Sequence, residues 1–352
     1  MIWFIFKNEM KQDKNILQWT TKLHFRQHII IIVKAIFLRH FKKPKLISSK
    51  CIEFAPCRYN GLMIKSNIVD KLKDYADFLP VCPEMGIGLG VPRDPVRVVD
   101  TGQELELFQP ATGKKLADKM DNFSEYFFKS IKEVDGFIFK NKSPSCGVKA
   151  INIYTSFGNS RPRKDGIGLF AAYVMRKYPK LPVEDEGRLR NLLIRENFLT
   201  QIFTIADFRS IKSKGFKDIL NFHTVNKLLL MSYSPLNVRE LGNILSNHHE
   251  KPLDIIKEEY ESKLFETIKQ TPKITKNINV LMHVFGYFSK ELKHDEKQFF
   301  LNTVDDYRDG RIPILICLNM LKQWNIRFEE EYLLKQTFFE PYPHDLMQIT
   351  FI

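Results

Sequence analysis

Short β-rich apolar runs recur along the first half of the chain, at 46–48, 78–81, 96–99, 134–139 and 150–154, with helical patterning between them. Between the third and fourth runs, Leu116, Met120, Phe123, Phe127 and Ile131 fall at steps of four, three, four and four, the spacing of one apolar helix face. This strand and helix alternation predicts a Rossmann-like, mainly parallel sheet whose functional loops lie at the carboxyl ends of its strands. The stretch 177–187 reads as a linker, because it carries Pro179 and Pro182, the acidic run Glu184-Asp185-Glu186 and then Gly187. After it the period is helical: Leu253, Ile256, Tyr260, Leu264 and Ile268 lie at steps of three and four, as do Leu281, Val284, Phe285 and Phe288. The expected architecture is an α/β domain over 46–187 followed by an all-α domain over 188–352.

Composition supports two folded units. The chain has 352 residues, 44% of them hydrophobic and 12% aromatic, enough for cores at about 150 residues per domain, which excludes disordered and collagen-like classes. Residues 47–187 hold twelve of the 16 glycines and four of the five cysteines, so the two units differ in class. Five cysteines are too few, and odd in number, for a secreted disulfide framework; free thiols in the reducing cytoplasm are expected, available for metal or catalysis.

The net charge of +13 comes mainly from one end, since residues 1–46 carry ten Lys and Arg against two Asp and Glu. A nucleic-acid surface on the folded part is therefore weakly supported, and RNA enters only as a secondary partner. Residues 1–45 form a basic and apolar extension. Its apolar run at 29–38 is shorter than the roughly 20 residues a membrane span needs, and no small-residue cleavage site follows it. An interfacial amphipathic helix, a docked extension and a segment ahead of the true start stay open there, and stable membrane insertion is not expected.

Three cysteines sit where strands end. Cys51 follows Ile47-Ser48-Ser49-Lys50, Cys82 ends Phe78-Leu79-Pro80-Val81, and Cys146 closes Ser143-Pro144-Ser145 after the run at 134–139. If the three strands are parallel neighbours, three thiols converge on one sheet edge although they lie far apart in sequence. The alternative is scattered buried thiols packing as small hydrophobes, since none belongs to a compact ligand pair. Their neighbours favour chemistry: Glu84 lies two residues after Cys82, hydroxyls precede Cys146, and prolines fix both turns. Soft thiolates suit zinc or an iron–sulfur cluster, and three protein ligands would leave one coordination position open for a substrate.

The ordered motifs Ile47-Ser48-Ser49-Lys50-Cys51, Cys57-Arg58-Tyr59-Asn60-Gly61, Val81-Cys82-Pro83-Glu84, Gly90-Val91-Pro92-Arg93-Asp94-Pro95, Asp135-Gly136-Phe137-Ile138-Phe139-Lys140, Ser143-Pro144-Ser145-Cys146-Gly147 and Asp165-Gly166-Ile167-Gly168-Leu169-Phe170-Ala171 resemble the thiouracil desulfidase family, catalogued as domain of unknown function 523. The resemblance covers roughly residues 46–187. It implies a 4Fe-4S cluster held by Cys51, Cys82 and Cys146 with one iron open to a thiolated pyrimidine. It also implies Glu84 and Ser143 as catalytic groups in a redox-neutral hydrolysis that replaces sulfur by oxygen and releases hydrosulfide. Arg93 and Ser145 are candidate substrate contacts, and for Arg93 a structural salt bridge is the competing role. Cys57 stands where many relatives carry an apolar residue, so it is either a spare thiol or a competitor of Cys51. The run Gly86-Ile87-Gly88-Leu89-Gly90 lacks the following helix of a dinucleotide fingerprint and is expected to let backbone approach the cluster or substrate.

The second half resembles domain of unknown function 1722, as found in YbgA-like proteins, through Asn197-Phe198, Phe222-His223 with Lys227, Leu241-Gly242, His283 with Gly286-Tyr287-Phe288, Tyr307-Arg308, Ile312-Pro313, Gln336 and Pro341-Tyr342-Pro343. No activity comes with that resemblance. His223 and Lys227 share a helix face and are expected to bridge helices. The expected protein is an iron–sulfur desulfidase-like enzyme for a small thio-nucleobase. Its rivals are a sulfur-relay protein in RNA modification and a zinc-stabilised structural protein; oligomeric state is not legible.

Overall fold

The structure, a computed structural model, describes residues 39–158 and 160–347; the apolar run at 29–38 lies outside them. Strand β1 (Lys45–Ser49), helix α1 (Asn67–Leu72) and strand β2 (Asp77–Val81) form the first unit. β1 is buried over Leu46 to Ser49, the signature of a strand covered on both faces. With β6 (Gly136–Phe139) and β9 (Val183–Asp185) these strands build a four-stranded sheet in the order β2-β1-β6-β9, parallel throughout. Pro80 lies within β2 and lacks an N–H to donate, which an edge strand tolerates.

The runs at 96–99 and 150–154 do form strands, but not in that sheet. β3 (Arg97–Asp100), β4 (Leu105–Gln109), β5 (Lys114–Lys115), β7 (Ile151–Tyr154) and β8 (Arg163–Gly166) make a second sheet in the order β5-β4-β3-β7-β8, mixed in direction. Helices α3 (Ala117–Lys129) and α4 (Leu169–Lys177) pack with both sheets, so Ile47, Phe137 and Phe139 share one core with Val98, Leu107, Ile151, Met120, Phe128 and Phe170. The short α2 (Pro83–Gly86) follows β2.

The opposite face of the parallel sheet is covered by α1 and by α5 (Leu192–Ile211). Phe198, Leu199, Ile202 and Phe203 of α5 meet Leu46 and Ile138, whereas Ile205 and Phe208 of the same helix enter the core of the helical part. A helix apolar all round is one buried on more than one side, and α5 serves both cores. The stretch read as a linker is accordingly no tether: residues 183–185 are β9, hydrogen-bonded to β6. Asp135, just ahead of β6 and 1% exposed, receives Arg209 of α5 at 2.9 Å (Nε to Oδ1) and 2.8 Å (Nη2 to Oδ2), and the amide of Lys45 at 2.7 Å. Asp135→Ala leaves that guanidinium without its buried partner; the expected loss is about 3 kcal/mol, the lower end for a broken buried pair because Arg209 keeps some solvent contact. Urea unfolding measures it, and a loss below about 1 kcal/mol, the ordinary effect of a point mutation, would remove this pair as the clamp between α5 and the sheet.

The remaining helices are α6 (Phe216–Tyr233), α7 (Pro235–Ser246), α8 (Leu253–Lys269), α9 (Ile274–Phe288), α10 (His294–Arg308), α11 (Ile314–Phe328) and α12 (Glu331–Leu334). Ile256, Tyr260, Leu264, Ile268, Leu281, Val284 and Phe288 are buried as their spacing requires. The chain is therefore α/β followed by helices. His223 meets the Tyr260 hydroxyl at 3.1 Å, tying α6 to α8, and burial holds the His223 imidazole below its ordinary range. Among the described residues no helix is long and apolar enough to cross a membrane.

Candidate active site

β2, β1 and β6 are adjacent and parallel, so the segments leaving their carboxyl ends gather at one sheet edge. There, a cavity of about 180 Å³ is lined by Cys51, Cys57, Cys82 and Cys146 together with Glu84, Arg93 and Ser143. The sequence-stated convergence of three strand-end cysteines is present, and Cys57 joins it as a fourth thiol.

Cys51, Cys57 and Cys146 are buried and Cys82 is half-buried; all are free. The Cys82 thiol donates to the Cys57 carbonyl at 3.9 Å, and the neighbouring Cys51 thiol together with burial raises the Cys57 thiol above its ordinary range. The hydroxyl-bearing Ser49 and Ser143 line the cavity with Cys146. Ser143 Oγ also accepts from the amides of Ser145 at 3.2 Å and Cys146 at 3.0 Å, which folds the turn around itself. The Cys82 thiol is pushed far above its ordinary range, first by its hydrogen bond with Cys57 and then by burial, while burial does the same to Cys146. These thiols keep their protons unless a cation replaces them. A soft metal or cluster is that kind of cation, and metal binding to thiols proceeds with proton release. Oxygen ligands suited to hard ions are scarce, because Glu84, the one carboxylate lining the cavity among the described residues, is engaged elsewhere. The donor set thus fits an iron–sulfur cluster, although among the described residues no three His, Cys, Asp or Glu are gathered to clasp a single ion.

Glu84 stands in the first turn of α2. Its Oε2 accepts from Arg93 Nε at 2.8 Å and Nη2 at 2.5 Å, and its Oε1 accepts from Ser145 Oγ at 2.9 Å. Arg93 also donates to the carbonyls of Cys57 at 3.1 Å and Gly90 at 3.0 Å. The salt bridge considered for Arg93 is therefore present, and its partner is the carboxylate expected to work. Ser145, expected against substrate, is fully buried behind the cavity and touches Glu84 instead.

Two features escaped the sequence reading. Ser49 at the end of β1 receives the Lys140 amide at 3.0 Å and lines the cavity with Cys146, coupling β1 to the segment that carries the third cysteine. Lys50, Arg58 and Lys142 line the mouth without an acidic partner among the described residues, and Arg58 lies over the exposed ring of Tyr59 at 5.7 Å. Lys140, by contrast, is paired with Glu186 at 3.6 Å. The position of Ser49 two residues before Cys51 was the available signal, as nearness to Cys146 was for Lys142; Lys50 and Arg58 had none.

The glycine-rich run does not reach the cavity. Gly86 is needed because a Cβ there would stand 2.2 Å from the Phe123 ring, so the run serves the packing of α2 on α3. Gly168 explains the motif before α4. A Cβ on it would stand 2.5 Å from Ser145 C and 2.8 Å from Cys146 N, both backbone atoms, and the amides of Gly168 and Leu169 donate to the carbonyls of Gly147 and Pro144 at 2.7 and 3.1 Å. Gly168→Ala therefore displaces the Cys146 turn rather than a side chain. The expected cost is about 1–3 kcal/mol with reduced iron uptake, read by thermal unfolding and iron content, and unchanged iron uptake would dissociate this contact from the site.

Residues 46–186 match the family model described as 2-thiouracil desulfurase, and residues 227–343 match the model described as a protein of unknown function, DUF1722. The chain is similar to the uncharacterized protein YbgA of Escherichia coli (strain K12), 27% identical over 151 residues, covering 42% of this chain and 89% of that protein. It is also similar to the uncharacterized protein YbbK of Bacillus subtilis (strain 168), 29% identical over 158 residues, covering 42% of this chain and 99% of that protein. Among solved structures it is similar to a 4Fe-4S-dependent thiouracil desulfidase, TudS, at 26% identity, covering 44% of this chain and 98% of that chain with a TM-score of 0.35.

Proposed function

We propose that this protein is an iron–sulfur-dependent desulfidase that removes sulfur from a thiolated pyrimidine or related thio compound by redox-neutral hydrolysis, releasing hydrosulfide in the cytoplasm. The observation that carries the proposal is the joint lining of one cavity by strand-end thiols and by Glu84, within the region matching the 2-thiouracil desulfurase model. Cys51, Cys82 and Cys146 would hold a 4Fe-4S cluster. Bound there, it would supply an open iron that takes the thiocarbonyl sulfur and polarises the C–S bond.

The chain's own groups do the rest. Glu84 is oriented by two Arg93 donors on Oε2 and by Ser145 on Oε1, so Oε1 is the oxygen that retains a second lone pair. Oε1 can therefore accept a proton from water attacking the thiocarbonyl carbon. Ser143 accepts two amides through Oγ, which leaves its hydroxyl proton to donate to Cys146 or to substrate. Arg93 and Ser145 are positioning residues in this scheme. Lys50, Arg58 and Lys142 give the mouth positive potential that attracts anionic thio compounds. The division near residue 187 belongs to the same reading: the first unit carries the chemistry and the helical unit braces its sheet through α5.

The test is anaerobic purification, reconstitution with iron and sulfide, and conversion of 2-thiouracil to uracil with matching hydrosulfide release. Turnover supports the reading; a protein with no cluster sinks it, and a loaded cluster without turnover on any thiopyrimidine transfers the site to sulfur relay.

A further inference from the structure

We propose that Cys57 is a fourth, displaceable thiolate ligand of the cluster, one that closes the substrate's coordination position until the substrate's sulfur takes it. This rests on the cluster reading above and extends it from three thiols to four. Cys57 packs in the same apolar cluster as Cys51, so its place in the cavity, and not burial, is what separates a ligand from a spare thiol. Cys57 lines the same cavity as the other three and is 4% exposed. Its backbone is part of the same network: the Cys57 carbonyl accepts from Arg93 Nη1 at 3.1 Å and from Cys82 Sγ at 3.9 Å.

Position also distinguishes Cys57 from its neighbours. Cys51 and Cys82 are held close to strand ends, whereas Cys57 lies within the loop closed by the Ile52–Ile64 bridge, followed by Arg58 and the exposed Tyr59. A loop thiol can withdraw without disturbing a strand. Withdrawal is ligand exchange without redox change: the iron bond to Cys57 breaks, an iron bond to the thiocarbonyl sulfur forms, and the released thiolate takes a proton from water. Arg93 touches both the Cys57 carbonyl and Glu84, so the same movement reaches the proposed base.

An iron without a protein thiolate is the one lost when a four-iron cluster is oxidised to a three-iron cluster. Reconstituted wild type and Cys57→Ala, matched for iron and sulfide content, are treated with ferricyanide and followed by electron paramagnetic resonance. Conversion to the three-iron form is expected to be about 10–100-fold faster in Cys57→Ala. In parallel, the loaded wild type is treated with iodoacetamide and the labelled cysteine found by peptide mass mapping. Cys57 should label only after 2-thiouracil is added. Equal conversion rates, or labelling of Cys57 without 2-thiouracil, would overturn the fourth-ligand role while the cluster reading stands. Failure of Cys57→Ala to assemble a cluster that Cys51→Ala does assemble would also overturn it, by making Cys57 an obligatory ligand. Absence of a cluster in the wild type would remove both proposals.

Discussion

Glu84→Gln is expected to keep the cluster and lose turnover by about 10²–10⁴-fold, the usual contribution of a positioned acid or base. Glutamine is the informative replacement because it preserves the local geometry. Its amide oxygen can still accept from Arg93, and its NH2 can face the Ser145 hydroxyl, which is able to accept. What disappears is the oxygen that takes a proton. Iron content and visible absorbance should match the wild type, since no cysteine moves, and the loss should fall on kcat. A companion, Ser145→Ala, removes only the hydrogen bond that orients Oε1, and its defect should be smaller than that of Glu84→Gln. If Glu84→Gln turns over within about threefold of wild type, well short of general-base magnitudes, Glu84 is not the base and its pairing with Arg93 is structural.

The parts of this fold that were legible in sequence are those whose signal is local. Buried strands and the stripe from Leu116 to Ile131 announce themselves by composition and period, and three cysteines at strand ends converge once their strands are neighbours. Partner choice is not local. The runs at 96–99 and 150–154 look like the others, yet β3 pairs with β7 and β4 in a second sheet, because the contacts that decide pairing come from residues distant in sequence. β9 was hidden for another reason: three residues, two of them acidic, at an edge carry no strand period, and nearby prolines suggested a tether. The same limit applied within the site. Glu84, Arg93 and Ser145 were each visible as chemistry, but their mutual hydrogen bonds depend on loops leaving different strands, which no spacing reveals.

Cys146→Ala should abolish the cluster and all turnover, whereas Cys317→Ala should leave both intact. The comparison isolates ligation from burial. Both cysteines are buried, and burial raises both thiols, that of Cys317 to about 11. Their surroundings differ. Cys317 lies in the helical core with its thiol donating to the Thr303 carbonyl at 3.8 Å, and it does not line the cavity. Cys146 lines the cavity with the other thiols and with Ser49 and Ser143, and its amide donates to the Ser143 hydroxyl oxygen at 3.0 Å. Each truncation should cost about 1 kcal/mol of stability, so thermal unfolding should hardly separate the two variants. Iron and sulfide analysis should separate them completely, because Cys146→Ala leaves only two strand-end thiolates beside the displaceable Cys57, and Glu84, held by Arg93 and Ser145, cannot compensate. A Cys146→Ala protein that assembles a stable four-iron cluster would remove Cys146 from the ligand set and leave Cys51, Cys57 and Cys82 as the three thiols to account for.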